Sequence, residues 1–387
     1  MILNRIFFVS LISCLALLTG CWDRKEMDDL ALVLASGVDL TDEGQVEITL
    51  QIALPTGIPS SLQSSGKAAN PIVVLSAAGK DSIDAFDQLQ QQMSRRINLG
   101  HRGVIVIGEK YARQGFDRIL DTLLRSSESR YNSYIVTTYG TTAKEILNSP
   151  YQLELIPAIG INKLQYNDYS LSIQIDKFID ALSSFDKEPV TGAIRVTKHG
   201  SKQQGFILDK AAVYRSNKLV GFLSGDELKA FRLLTRKFDG IHLTTQMEPP
   251  TKKQKGTISV QMIKAETNIH TELKNGKPEV SIYFKAVAKV LSNDTNMDLS
   301  KTINRVEERF SEDCHKAIMG MLSRTQKKFK ADIVGIGREF HIQHPYVWKK
   351  IKNDWNMRYP EISIQLITDF RIERVGRTQA PAQLQEN

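Results

Sequence analysis

ISVQMIKAETNIHTELKNGKPEVSIYFKAVAKV, residues 258–290, is the stretch that decides the fold. Asn275-Gly276 divides it, and that dipeptide favours the positive backbone angles of a two-residue hairpin turn. Beyond the turn Val280, Ile282, Phe284, Ala286 and Ala288 recur at every second position, the period of a strand with one buried face. The stretch therefore predicts two long antiparallel strands. Downstream the period changes to a helical one, with Ile303, Val306, Phe310, Ala317 and Met321 tracing one stripe of a long amphipathic helix. A shorter helix is expected over Val347, Trp348, Ile351 and Trp355. Ile362, Ile364, Leu366, Phe370 and Ile372 alternate along a closing strand, and the polar tail after Gly376 is expected to be disordered.

Working upstream, Leu30 to Leu54 predicts a hairpin around Thr41-Asp42-Glu43-Gly44, and Pro55 to Asn70 an exposed Ser/Gly/Pro-rich loop. Strands at Ile72–Leu75, Val104–Ile107 and Tyr134–Val136 then alternate with helices at Ser82–Met93, Tyr111–Leu124 and Thr142–Leu147. Alternation at that pitch predicts a layered arrangement with at least one buried sheet. From Asn148 to about Gly200 the pattern is weaker, with helical spacing near Ile173 to Leu182. Gly205 to Leu223 predicts two strands around Arg215-Ser216-Asn217-Lys218, and Ser224 or Asp226 caps a helix running to about Thr235. The fold class expected is α+β, with mixed sheets packed by helices in three domains. Their limits are 21–200 (N-terminal α/β), 201–250 (a small middle domain) and 251–376 (C-terminal α+β), preceded by a signal peptide at 1–20 and followed by a tail at 377–387.

The 387 residues include 51 Lys+Arg against 43 Asp+Glu, with 24% charged and 41% hydrophobic, an ordinary globular composition. The net charge of +8 permits an anionic partner such as a membrane surface, and the mixed signs do not require one. Three cysteines exclude a disulfide-stapled scaffold and a four-cysteine zinc or iron–sulfur site.

The N-terminus, MILNRIFFVSLISCLALLTGC, reads as an address. Arg5 supplies a positive start, and the apolar run Ile6–Leu18 is well short of the roughly 20 residues of a spanning helix. Leu18-Thr19-Gly20-Cys21 has the pattern of a bacterial lipobox: two small residues admit the chain to a narrow peptidase site, and the Cys21 thiol takes a diacylglyceryl group. Cleavage between Gly20 and Cys21 is expected to leave an N-palmitoyl, S-diacylglycerol cysteine, anchored to the membrane by its lipid chains. It also removes Arg5, which lowers the net charge to +7, and Cys14, which leaves Cys314 as the remaining thiol.

Catalytic constellations are absent from the sequence. His341 and His344 lack the intervening glutamate of a helical zinc motif, and Cys314-His315 are adjacent on a helix, where neighbours do not face each other. Gly221-Phe222-Leu223-Ser224-Gly225 has its serine one place late for a nucleophile elbow, and Gly335-Ile336-Gly337 is followed by Phe340 where a dinucleotide loop needs glycine. No enzymatic activity, metal, cofactor or nucleic-acid partner is expected. Charge clusters at Lys252–Lys255, Arg324–Lys330 and Lys349–Lys352 read first as solvated faces.

Four segments, taken in order, resemble the Ger(x)C lipoproteins, the C subunits of spore germinant receptors. The first is Cys21-Trp22-Asp23-Arg24-Lys25-Glu26 with Asp29-Leu30-Ala31 and Gly37-Val38-Asp39. The second is Arg96-Ile97-Asn98-Leu99-Gly100-His101 leading into Val104–Glu109, with Ala112-Arg113 and Arg125 to Arg130. The third pairs Ala211–Tyr214 with Lys218–Leu223, and the fourth joins Asp332–Gly337 to Trp348, Ile351, Trp355, Pro360 and Val375-Gly376. The resemblance implies a three-domain α+β lipoprotein on the outer face of the spore inner membrane. It implies A-type and B-type receptor subunits as partners, a response to nutrients, and no catalysis; whether this chain itself binds germinant stays open. Trp22, Asp23, Arg24, Gly100 and His101 are the candidate structural or interface residues, beside the lipidated Cys21. The alternative reading, a lipid-anchored solute-binding protein of a transporter, expects two similar α/β lobes, which the last third does not repeat.

Overall fold

The computed structural model describes residues 26–54, 71–115, 132–166, 169–199, 202–248, 255–274, 277–295 and 297–374. Two sheets carry the chain. The first uses β1 (Leu30–Leu40), β2 (Val46–Ala53), β3 (Ile72–Gly79), β4 (Arg96–Asn98), β5 (Val104–Ile107), β6 (Tyr134–Thr138), β7 (Val190–His199), β8 (Lys202–Arg215) and β9 (Lys218–Ser224). Their order is β3-β2-β1-β5-β6-β7-β8-β9, with β4 alongside the start of β1. The central strands β1, β5, β6 and β7 are parallel, and the antiparallel pairs β2–β3 and β8–β9 flank them.

The central position of β1 follows from its side chains. Ala35 to Asp39 are buried without alternation, as a strand covered on both faces requires. Ala35 pairs with Gln51 while Val33 pairs with Ile52, so β1 carries one extra residue at this point. That bulge reverses the parity of the strand. Val33 consequently joins the core containing Leu50, Leu89, Phe178 and Tyr214, whereas Ala35 joins the opposite core with Val104, Val106, Ile146 and Ile194. The helices α1 (Ser82–Gln91), α2 (Glu109–Gln114), α3 (Ala143–Asn148), α4 (Pro157–Gln165) and α5 (Ile175–Ser183) cover the two faces. At Gly37 an added Cβ would stand 2.9 Å from Ala143 Cβ, so glycine lets α3 lie directly on the strand.

After α6 (Gly225–Leu234), the second sheet runs β10 (His242–Met247), β11 (Gly256–Lys274), β12 (Lys277–Asn293) and β13 (Ser363–Arg374). The β11–β12 hairpin is present as its alternation predicts, while its turn residues 275–276 lie outside the described residues. The long amphipathic helix is α7 (Leu299–Arg324), whose buried stripe includes Val306, Phe310, Cys314, Ile318 and Met321. A wide turn of π type (Thr325–Phe329) ends on Lys330 in the left-handed region. Then α8 (Ile336–Gln343), α9 (Pro345–Ile351) and α10 (Trp355–Arg358) lead to β13, which returns parallel to β12.

Sequence and structure differ in four places. The helix expected over Val347–Trp355 is broken by a 3-10 turn at Lys352–Asp354. Seven residues along a straight helix would separate Trp348 from Trp355 by about 10 Å, whereas the break brings their rings to 5.2 Å with both buried. The helix expected over Tyr111–Leu124 begins at Glu109 and ends at Gln114, where Gly115 leaves the helical region at φ +107; residues 116–124 lie outside the described residues. Strands β4, β7 and β10 and helix α4 have no counterpart in the periodicity. Finally, β8 and β9, expected in a separate middle domain from residue 201, extend the nine-stranded sheet. The expected limit at 200/201 lies outside the described residues, and β7 and β8 on either side of it pair along most of their length. The proposed limit at 250/251 falls outside the described residues. One apolar cluster joins both sheets, running from Val190, Val213 and Leu223 through Phe231 to Ile258, Phe329 and Trp355.

Candidate functional site

Of the residues singled out by sequence, Cys21, Trp22, Asp23 and Arg24 lie outside the described residues. Gly100 and His101 lie on the loop joining β4 to β5. Gly100 N–H donates to Asn98 Oδ1 at 3.0 Å, closing a tight turn, and His101 is exposed. The buried residue of this loop is its neighbour Arg102, whose Nη1 donates to Ser36 on β1 at 3.4 Å. Ser133 Oγ donates to the Arg102 carbonyl at 2.6 Å, so the loop is stitched to β1 and to the start of β6. Burial pulls the Arg102 guanidinium down to about 10, still charged at neutral pH.

The fourth sequence segment builds the join between the two sheets. Asp332, 1% exposed, accepts from the backbone N–H groups of Gly335 (2.9 Å), Ile336 (3.0 Å) and Gly337 (2.7 Å), and from Trp355 Nε1 (3.1 Å). Those are the donors that a helix start leaves unpaired, and α8 has Gly335 at its N-cap, where no side chain can serve. The turn needs glycine twice. Gly335 has φ +88, and a Cβ on Gly337 would stand 2.6 Å from Trp355 Nε1 and 2.8 Å from the Asp186 carbonyl. Burial pushes the Asp332 carboxyl up, against the four donors that favour its charge.

The segment just before β7 meets this turn. Glu188 N–H donates to the Asp332 carbonyl at 2.8 Å, and its carboxylate accepts from Ser216 N–H at 2.5 Å. Asp186 meets Arg338 Nε (3.3 Å) and His341 Nδ1 (3.3 Å); burial, which would raise its carboxyl, is outweighed by Ser184, His341 and Arg338, and the group is lowered. On the other side of the join, Arg324 Nη1 donates to both carboxylate oxygens of Glu227 (2.8 and 2.6 Å), and a Cβ on Gly221 would stand 2.4 Å from the Phe329 ring.

Between α5, the start of β7, α6 and α8 this join borders a half-open cavity of about 500 Å³. Its walls include Ser172, Ile173, Asp180, Lys187, Glu188, Val190, Phe231, Lys237 and Arg338. Periodicity could not find it, because Lys187 and Lys237 lie fifty residues apart on different elements.

The residues weighed for chemistry do other work. Cys314 is buried, and burial with the adjacent Asp313 pushes its thiol up to about 12. His341 stacks on Trp348, and His344 Nε2 contacts the Thr271 carbonyl at 2.7 Å. Among the described residues no group of His, Cys, Asp and Glu side chains could hold a metal ion, and no helix is long and apolar enough to cross a membrane.

Two family models match the chain. The spore germination protein N-terminal domain covers residues 23–196, and the spore germination B3/GerAC-like C-terminal domain covers residues 209–376. Among curated proteins, the chain is 25% identical to the spore germination protein KC of Bacillus subtilis, over 98% of each chain. It is 27% identical to the spore germination protein B3 of the same organism, over 96% of each. A solved structure, the crystal structure of the GerBC protein, superposes with a TM-score of 0.56 at 21% identity, covering 87% of this chain and 96% of that one, and carries the same α+β fold. With both models matched in order and nearly the whole length covered, the chain belongs to the GerAC family of spore germination proteins.

Proposed function

We propose that the chain is the lipid-anchored C subunit of a nutrient germinant receptor, acting through protein–protein contacts to help trigger spore germination. One conjunction carries this reading: end-to-end likeness to spore germination proteins in a chain that begins with the lipobox Leu18–Cys21. On this reading Cys21 bears the lipid, and the protein stands on the outer face of the spore inner membrane beside A-type and B-type subunits. Five chain steps lead from Cys21 to Glu26, so the start of the described chain lies within about 18 Å of the anchor. Confinement to the membrane raises the subunit's effective concentration near its partners, and nutrient occupancy of the complex would change the contacts it makes.

Cys21→Ala tests the reading in spores. The expected result is a folded protein depleted from the membrane fraction, with impaired germination in single nutrients. Unchanged membrane retention together with an unchanged nutrient response would overturn it.

A further inference from the structure

We infer that the cavity between α5, β7, α6 and α8 binds a small molecule through an oxyanion, a phosphate or carboxylate group held between the ammonium groups of Lys187 and Lys237. Both lysines line the cavity. Lys187 approaches from the nine-stranded sheet, its stem packed over Gly335 at 3.4 Å from where a Cβ would stand. Lys237 approaches from the end of α6, and its Nζ donates to the Ser172 carbonyl at 3.0 Å. An ammonium carries three donors, so the second and third of Lys237 have no protein acceptor among the described residues. Neither lysine has a carboxylate within ion-pairing distance among those residues.

The surrounding charges show how unusual this is. Arg338 pairs with Asp180 and Asp186, and Arg324 pairs with Glu227. The wall's carboxylates are likewise engaged: Asp180 by Arg338, and Glu188 by the Ser216 N–H. Asp332, Asp180 and Asp186 favour the Lys187 charge from a distance without pairing with it, while Lys237 is opposed by Lys187 and Arg232, so the two ammonium groups border a half-open cavity where a bound anion would relieve their repulsion. Burial, then the nearby Lys187 and Arg232, pulls the Lys237 ammonium down to about 8, the direction that repulsion without a counter-charge gives. At about 500 Å³ the cavity has the size of a small-molecule site. Ile173, Val190 and Phe231 supply an apolar wall for the body of the ligand. A ligand held there touches both halves of the molecule and stabilises their present arrangement. The inference stands on the cavity alone and does not depend on lipidation or receptor partners.

The test uses the full chain in detergent, titrated at constant ionic strength with inorganic phosphate in one arm and acetate in the other. Calorimetry and thermal melting are read together. Saturable binding with a rising Tm is expected in at least one arm, and the arm that responds identifies phosphate or carboxylate. Lys187→Met and Lys237→Met keep the apolar stems and remove the charges, and each should weaken binding about tenfold or more. Without anion the two Met variants should melt at or above the wild-type temperature, because repulsion is relieved; at saturating anion the order should reverse. Absence of saturable binding in both arms, or wild-type affinity in both Met variants, would overturn the inference.

Discussion

Asp39 and Asp332 are both buried aspartates that accept backbone N–H groups at the start of a helix, one in each half of the molecule. Asp39, at the end of β1, reaches Ala143 and Lys144 of α3, both at 2.9 Å, across more than a hundred residues of chain. Asp332 reaches three to five residues ahead and adds the Trp355 indole. Each stands against a glycine: a Cβ on Gly108 would lie 2.0 Å from Asp39 Oδ1, as one on Gly337 would collide with Trp355. The difference lies in how the donors are shared. At α3, Asp39 takes the N–H groups of Ala143 and Lys144 while the Thr142 hydroxyl takes that of Glu145, whereas at α8 the N-cap is Gly335 and Asp332 alone takes three N–H groups and the indole. A carboxylate that divides the work with a cap and one that replaces it should differ in energetic weight despite similar burial.

Mutation can break that comparison. The largest effect is expected for Asp332→Ala, which strands three buried N–H groups and an indole; unsatisfied buried donors cost about 1–3 kcal/mol each. A loss of about 4 kcal/mol in urea unfolding is expected, and a loss below about 1 kcal/mol would show that the join does not need the clamp. Gly337→Ala comes next, at about 2–3 kcal/mol, the upper part of the usual cost of overpacking; a wild-type urea midpoint would mean that Trp355 and the 186 carbonyl yield freely. Asp39→Ala should cost about 2 kcal/mol, since it strands two N–H groups while Thr142 still serves that of Glu145. Combining it with Thr142→Ala should cost about the sum of the two single changes, and a cost well above that sum in a double-mutant cycle would show that the two acceptors stand in for each other.

The smallest effect is a pH dependence. Burial comes first among the causes that push the Asp39 carboxyl above its ordinary value, outweighing the two backbone N–H groups. Just above the unfolded value of about 3.9, the folded protein therefore holds the proton more tightly than the unfolded chain. Stability from this group is fully present below that value and is lost as pH rises through the folded one. Urea midpoints measured from about pH 3.5 upward should show wild type losing ground to Asp39→Asn across this window. A wild type that gains on the variant would reverse the assigned direction.

The same contrast explains what the sequence could disclose. Asp332-Ile333-Val334-Gly335-Ile336-Gly337 stood out as a segment through its likeness to the Ger(x)C lipoproteins, a contiguous run whose work as carboxylate, turn and helix start is visible only in the fold. The β11–β12 hairpin and the α7 stripe were legible directly, since period and turn lie in one window. Helix α4 was not, because Pro157 opens it and Gly160 interrupts it. Strand β4, at three residues, is too short to show a period. The cation pair of Lys187 and Lys237 had no signal at all, since topology alone brings them to one cavity. The emphasis on Gly100-His101 missed the more deeply placed Arg102 one residue on, whose neighbours come from β1 and the start of β6.

The position of β1 has a mechanical consequence. The described chain enters through this strand, which lies inside the sheet with β2 on one side and β4 and β5 on the other. Tension applied at residue 30 along the strand axis loads both ladders in shear, so their hydrogen bonds must fail together instead of peeling one by one. An edge strand in the same place would resist with one ladder instead of two. If Cys21 carries the proposed anchor, a pull on it would thus reach the core before β1 yielded.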